Sequence, residues 1–193
     1  MLSPIVTATL QATAIASASN VLAQYIEQRD HEGPFTLSLP DFLRFVILSL
    51  LTAPPNFLWQ MFLERTFPGR KAVPVSDPED AEKGNTEEEG EKVLKLDWKN
   101  TMIKWFVDCI SMGALLNTTA FLILMGLMKG RTWNEIATAL RTETFPIIFA
   151  SYKIWPLASV VNFALIPVEK RIVFLSAVGL GWGIYMSLAA SRQ

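Results

Sequence analysis

Lys104 and Asp108 stand four residues apart at the start of the stretch Met102–Met128, which carries no charge from Cys109 onward. Four residues make about one helical turn, so the ammonium and the carboxylate are spaced to pair directly. An ionisable group in an apolar span is costly, and it faces either the interior of a bundle or a water-filled cavity. Lys104 lies near the end of the stretch, where it can reach the interface. Asp108, one turn deeper, is the better candidate for contact with a solute or ion. Arg44, similarly placed in an earlier apolar stretch, is the alternative partner for Asp108. The chemistry open to this set is electrostatic: a structural ion pair, or a charged position along a solute path.

Covalent and metal chemistry have less to work with. The chain contains one Cys and one His, Cys109 and His31, which excludes disulfide frameworks and Cys/His metal sites. Cys109 sits in an apolar segment and His31 in a polar loop, so a thiolate–imidazole pair is not expected. No base–nucleophile pair or metal set can be assembled. No catalytic, cofactor-binding or metal residue is therefore assigned, and the reading is not an enzyme. The net charge is −1 and no Lys/Arg-rich run of the kind that binds nucleic acid occurs.

A second polar set lies in the first apolar stretch. Thr9, Thr13, Ser17, Asn20 and Gln24 fall within about 80° of one another on a helix of 3.6 residues per turn. Such a stripe either lines a wet path or hydrogen-bonds to a neighbouring helix. Asn20 and Gln24 thus join Asp108, Lys104 and Arg44 as the candidate pore or buried polar set. Ala8, Ala12, Ala16 and Ala23 occupy another face, where their small size lets a second helix approach closely.

These residues are carried by five apolar stretches: Leu2–Ile26, Phe42–Leu63, Met102–Met128, Phe145–Ile166 and Ile172–Ser191. About 20 residues suffice to span a bilayer. The second stretch reads as broken by Pro54-Pro55, and the fourth, with Lys153 and two prolines, is the weakest span. Apolar types make up 51% of the chain and charged types 18%, with no alternating strand pattern. A bilayer admits only helices or closed barrels. The expected fold is therefore all-α: a polytopic membrane bundle of four to five transmembrane helices, forming one domain over residues 1–193.

Between the second and third stretches, residues 68–96 contain three prolines, three glycines and the run Glu87-Glu88-Glu89. Too little apolar surface is available there to offset chain entropy, so a disordered charged linker is expected. Five crossings would place the N-terminus, this linker and the Glu169–Arg171 turn on one face. That face holds nine Lys/Arg against five on the other, which points the linker toward the cytosol or matrix. If the fourth segment is re-entrant, the C-terminus changes side. The first charged side chain is Glu27, so residues 1–26 lack the features of a cleaved presequence and insertion without N-terminal cleavage is expected.

The last two stretches carry a dense pattern: Trp155-Pro156, five residues, Asn162-Phe163, Pro167, Arg171, then Trp182-x-x-Tyr185. Pro156 is expected to kink a helix, and Asn162 must find a hydrogen-bond partner in the interior. Pro167 ends that helix and Arg171 anchors the next at the interface. Gly179-x-x-x-Gly183 marks a helix–helix contact, within the bundle or between the subunits of a homo-oligomer.

This pattern resembles the C-terminal signature of the 22 kDa peroxisomal membrane protein family, which includes the mitochondrial inner-membrane protein Mpv-seventeen. Trp155, Pro156, Asn162, Phe163, Pro167, Arg171, Trp182 and Tyr185 match it at every spacing. Upstream, Asp41-x-x-Arg44 and the Lys104/Asp108 spacing are kept. The family's Gly-Asp-x-x-Ala-Gln stands here as Ser19-Asn20-x-x-Ala23-Gln24, and its Gly-Pro-x-x-His-x-Trp-Tyr as Ala53-Pro54-x-x-Phe57-x-Trp59-Gln60. Cys109 replaces a Gln. The resemblance implies a small multispanning protein in contact with the lipid bilayer, in the peroxisomal membrane first and the inner mitochondrial membrane second. It further implies a pore or channel for small solutes; the alternative is a structural or adaptor protein of those membranes without transport.

Overall fold

The computed structural model describes residues 2–28, 34–74 and 92–190, and the side chains of all of these except 72–74, 92–93 and 183–190. Helix α1 (Pro4–Gln28) opens on Pro4, whose fixed φ suits a first turn. Helix α2 (Leu39–Thr66) likewise carries a proline in its first turn. The two are stapled where they meet: Gln24 Oε1 accepts from the Ser38 backbone N–H at 2.7 Å, and Gln24 Nε2 donates to the Ser38 carbonyl at 3.2 Å. The last turn of α1 thereby serves the start of α2.

Helix α2 runs unbroken through Pro54-Pro55, against the expectation of a break. Each proline forfeits a single backbone donor, and packing on both sides of α2 holds the remaining turns. After α2 come strands β1 (Arg70–Pro74) and β2 (Lys92–Leu96), paired antiparallel with Arg70 opposite Leu96 and Val73 opposite Val93. These segments belong to the stretch expected to be disordered, so that expectation is corrected for its two ends. Their anchoring is local: Asp97 N–H donates to the Gly69 carbonyl at 2.8 Å, and Asn100 Nδ2 to the Pro68 carbonyl at 3.0 Å. Residues 75–91, which hold the acidic run, lie outside the described residues.

Helix α3 (Trp98–Trp105) begins at Asp97, whose carboxylate accepts from Asn100 N–H at 3.2 Å. It passes through a π-helical turn, Phe106–Ile110, into α4 (Met112–Met128). Gly130, at φ 70°, closes α4. Thr132 and Glu135 then form a reciprocal capping box that starts α5 (Trp133–Ser151). A three-residue turn separates α5 from α6 (Trp155–Leu165), and the two axes bend by 63°. The break falls just before Trp155-Pro156, because Pro156 is accepted in a first turn; it does not kink the middle of a helix, as the sequence suggests. A single 3-10 turn, Val168–Lys170, leads into α7 (Arg171–Ala190).

Among the described residues, α1, α2 and the α3–α4 run are each long and apolar enough to cross a membrane, and the bent α5–α6 pair makes a fourth candidate. Leu43, Ile47, Leu50, Leu51, Leu58 and Phe62 all point outward from α2. An apolar surface of that extent is solvated by hydrocarbon, not by water. The protein is a multi-pass membrane protein built of helices, with one small hairpin at its edge.

Helix α1 packs along α2 and α7, α4 pairs with α5, and α3 lies against α6. Ala8 and Ala12 of α1 are buried against Ala53, Phe57 and Ile172, as small residues on a contact face should be. Pro4, Ile5, Arg65 and Glu169 border one cleft, so the start of α1, the end of α2 and the turn before α7 share one end of the bundle.

Gly113 fixes the π-helical turn. A Cβ there would collide with the Asp108 carbonyl and lie 2.8 Å from both its Cα and its carboxylate oxygen. Gly113→Ala is expected to cost about 1–3 kcal/mol, the usual penalty of overpacking. Thermal unfolding in detergent checks this; an unchanged midpoint would show that the turn tolerates a side chain.

Candidate functional site

Along α2, Ala53, Phe57, Gln60 and Glu64 recur at intervals of four, three and four, which puts them on one face toward the interior. The stripe turns polar in its last two members, and both are used. Glu64 Oε2 accepts from Lys104 Nζ at 2.6 Å and from Arg171 Nη2 at 2.7 Å. Its other oxygen accepts from the Gly69 N–H at 2.8 Å. A Cβ on Gly69 would come within 2.7 Å of Lys104 Nζ and 3.2 Å of Glu64 Oε1, so a side chain there would require the ion pair to shift.

The two cations are fully enclosed. The Lys104 side chain is 0% exposed and that of Arg171 4%, against 28% for Glu64. Both stand over the Phe163 ring, at 5.4 and 5.0 Å from its centre, where the negative face of the π-system adds attraction. Arg171 Nε donates to the Ile166 carbonyl at 3.2 Å. Arg171 is therefore a buried ion-pair partner, which corrects the expectation of an interfacial anchor. The turn at Pro167 folds α7 back so that its first residue points inward.

One turn inward, Asp108 Oδ1 accepts from Trp59 Nε1 at 2.8 Å and from Gln60 Nε2 at 3.3 Å. Gln60 Oε1 in turn accepts from Asn162 Nδ2 at 3.4 Å. Lys104 does not pair with Asp108, nor does Arg44. The reason is the π-helical turn: its wider winding carries Asp108 off the α-helical face that Lys104 occupies. The turn is held by Tyr152, whose hydroxyl donates to the Ile110 carbonyl at 2.7 Å. Among the described residues, four buried polar atoms lack a hydrogen-bond partner: Thr101 Oγ1, Ser159 Oγ, Asn162 Oδ1 and Arg171 Nη1. Thr101 precedes Lys104 by one turn and Ser159 precedes Asn162 by one turn.

The remaining predicted polar residues sit at the other end of α2. Arg44 Nη1 pairs with Asp41 at 2.6 Å and its Nε donates to the Met128 carbonyl at 3.2 Å. Asn20 Oδ1 accepts from Gln24 at 2.8 Å. Twenty residues of helix, about 30 Å, separate Arg44 from Glu64. The five candidate residues are thus divided between two sites. Among the described residues no group of three or more His, Cys, Asp or Glu could hold a metal ion.

The C-terminal signature surrounds the ion cluster. A Cβ on Gly179 would meet Trp155 at 3.9 Å, so this glycine faces a helix of its own chain. The Pro156 carbonyl accepts from Trp105 Nε1 at 3.0 Å, tying α6 to α3. Phe163 underlies the cations, Pro167 stands exposed before the 3-10 turn, and Trp182 is half-buried in α7. The side chain of Tyr185 and the surroundings of Gly183 lie outside the described residues.

Residues 126–187, from the end of α4 through most of α7, match the Mpv17 / PMP22 family. Over that segment the chain is similar to the Mpv17 / PMP22 family. It is 26% identical to PXMP2/4 family protein 3 of Dictyostelium discoideum, over 98% of this chain and 86% of that protein. It is 22% identical to PXMP2/4 family protein 1 of the same organism, over 98% of this chain and 80% of the relative. Protein SYM1 of Saccharomyces cerevisiae is 24% identical over 49% of this chain and 48% of its own length. No solved structure matches. The matched Mpv17/PMP22 segment contains Asn162, Phe163 and Arg171 but not Glu64, Lys104 or Asp108.

Glu64 is the member that sequence reasoning missed. Its signal was the spacing from Phe57 and Gln60, which places a carboxylate on the buried face of an apolar helix.

Asn162→Leu would leave the Gln60 carbonyl oxygen without its donor. A loss of roughly 1–3 kcal/mol is expected, the cost of an unsatisfied buried group. Denaturant or thermal unfolding of the purified variant measures it. A variant that folds and assembles normally but loses all solute flux would place Asn162 in the transport path instead.

Proposed function

We propose that this bundle is a pore for small solutes in an organelle membrane, peroxisomal first and inner mitochondrial second. The observation that carries the reading is the polar thread inside the bundle. It runs from Glu64, the partly exposed member, past Lys104 and Arg171 to Asn162, Gln60 and Asp108, and four buried atoms have no partner among the described residues. In a hydrocarbon surround each unpaired polar group costs several kcal/mol. Water or a polar solute reaching the thread removes that cost; a dry structural core does not. Asp108, bonded by two neutral donors, is the charged position best suited to act on a passing ion.

The membrane assignment rests on the family resemblance and on similarity to the PXMP2/4 proteins along nearly the whole chain, where the yeast SYM1 match spans about half. A second reading, a structural or adaptor protein, draws on α1. Its stripe is engaged between helices, with Thr13 Oγ1 donating to Ser49 Oγ at 3.3 Å and Gln24 clasping Ser38.

Purified protein in planar bilayers tests the two. The pore reading expects discrete conductance, with Asp108→Asn shifting the cation-to-anion permeability ratio toward anions because a fixed negative charge is lost. A conducting variant with an unaltered ratio would remove Asp108 from the path. A folded, bilayer-inserted protein without conductance would favour the structural reading.

A further inference from the structure

Two buried cations share one carboxylate at the end of the bundle, and three buried hydrogen-bonding groups on α3, α6 and α7 lack a partner among the described residues. Among the described residues, Arg171 binds Glu64 through Nη2, its Nη1 has no partner, and the hydroxyls of Thr101 and Ser159 are likewise unpartnered. Arg171 is also the first residue of α7, where the helix dipole adds partial positive charge. The local balance is an excess of hydrogen-bond donors over the acceptors that meet them. Such a set fits a group with several anionic oxygens better than it fits the single Glu64 oxygen that now serves both cations. A guanidinium edge with Nη1 open is suited to bidentate contact with a carboxylate or phosphate.

Of the three ion-pair members only Glu64 reaches the surface of the bundle. Its side chain is 28% exposed, against 0% and 4% for the cations. It stands two residues before the end of α2, and its second oxygen is held by the Gly69 N–H, a contact a rotation of the side chain releases. Lys104 and Arg171 have no comparable exit. Removing the carboxylate from two enclosed cations is prohibitive unless another anion takes its place. Departure of Glu64 and arrival of an anion are therefore one exchange.

We propose that Glu64 occupies, from within the chain, the seat of an anionic solute, whose carboxylate or phosphate group is bound by Lys104 and Arg171. The consequence for transport rests on the pore reading above: the pore would admit small organic or inorganic anions by displacement of Glu64. The binding seat itself does not need that reading. The enclosure of both cations favours a small soluble anion over a lipid headgroup.

Inorganic phosphate and acetate, added separately at constant ionic strength, are the probes for detergent-purified full-length protein followed by thermal unfolding. Glu64→Gln keeps the side-chain shape but no longer competes as a tethered anion. Half-saturation by phosphate or acetate should fall by roughly tenfold or more relative to the parent, given the millimolar effective concentrations of short tethers. The double variant E64Q/K104Q should lose that gain. If Glu64→Gln folds only with an anion present, its recovery should depend on phosphate or acetate in the purification buffer. Thermal midpoints or recovery that ignore both anions overturn the proposal, even for a protein that conducts. Anion stabilisation of Glu64→Gln, reversed in the double variant, supports the seat even if the parent proves not to conduct, in which case only the pore reading falls.

Discussion

The sharing of Glu64 by Lys104 and Arg171 organises the bundle. The three residues come from α2, α3 and α7, so one carboxylate joins three helices distant in sequence. In a low-dielectric interior, removing one partner of such a set costs about 3–5 kcal/mol, because a buried charge is left bare. The neighbouring features follow from that constraint. Phe163 supplies a face for both cations, Gly69 allows the backbone to complete the carboxylate's shell, and the turn after Pro167 delivers Arg171 inward. Much of the C-terminal signature thus acts on residues that lie outside it.

Helix α2 works as a strut between two polar ends. At one end Arg44, Asp41 and Gln24 join α1, α2 and α4; at the other Trp59, Gln60 and Glu64 join α3, α6 and α7. Three of the positions where this chain departs from the pattern it resembles fall close to the second end. Phe57 is packed in the core in place of a histidine, Gln60 bridges Asp108 and Asn162 in place of a tyrosine, and Cys109 is buried next to Asp108. The helical frame accommodates these changes, and Gln60 and Cys109 contribute to the surroundings of Asp108.

The apolar stretches, the buried partner of Asn162 and the contact role of Ala8 and Ala12 were legible in the sequence, because each follows from hydropathy or helical periodicity alone. The partners of the charged residues were not. A single π-helical turn separates Lys104 from Asp108, and no residue type between 106 and 110 announces it; only Gly113, three residues later, marks the close approach. Continuity of α2 through Pro54-Pro55 depends on neighbours that sequence does not display. The hairpin ends of the linker were concealed by the charged residues between them, since composition was averaged over the whole segment.

A double-mutant cycle between Glu64 and Arg171 tests the organising role of this ion pair most directly. Unfolding free energies of Glu64→Gln, Arg171→Gln and the double variant, measured in one detergent, give the coupling. A value of about 2 kcal/mol or more is expected for a close, desolvated charge pair. A value within about 0.5 kcal/mol of zero, the range of independent sites, would contradict it.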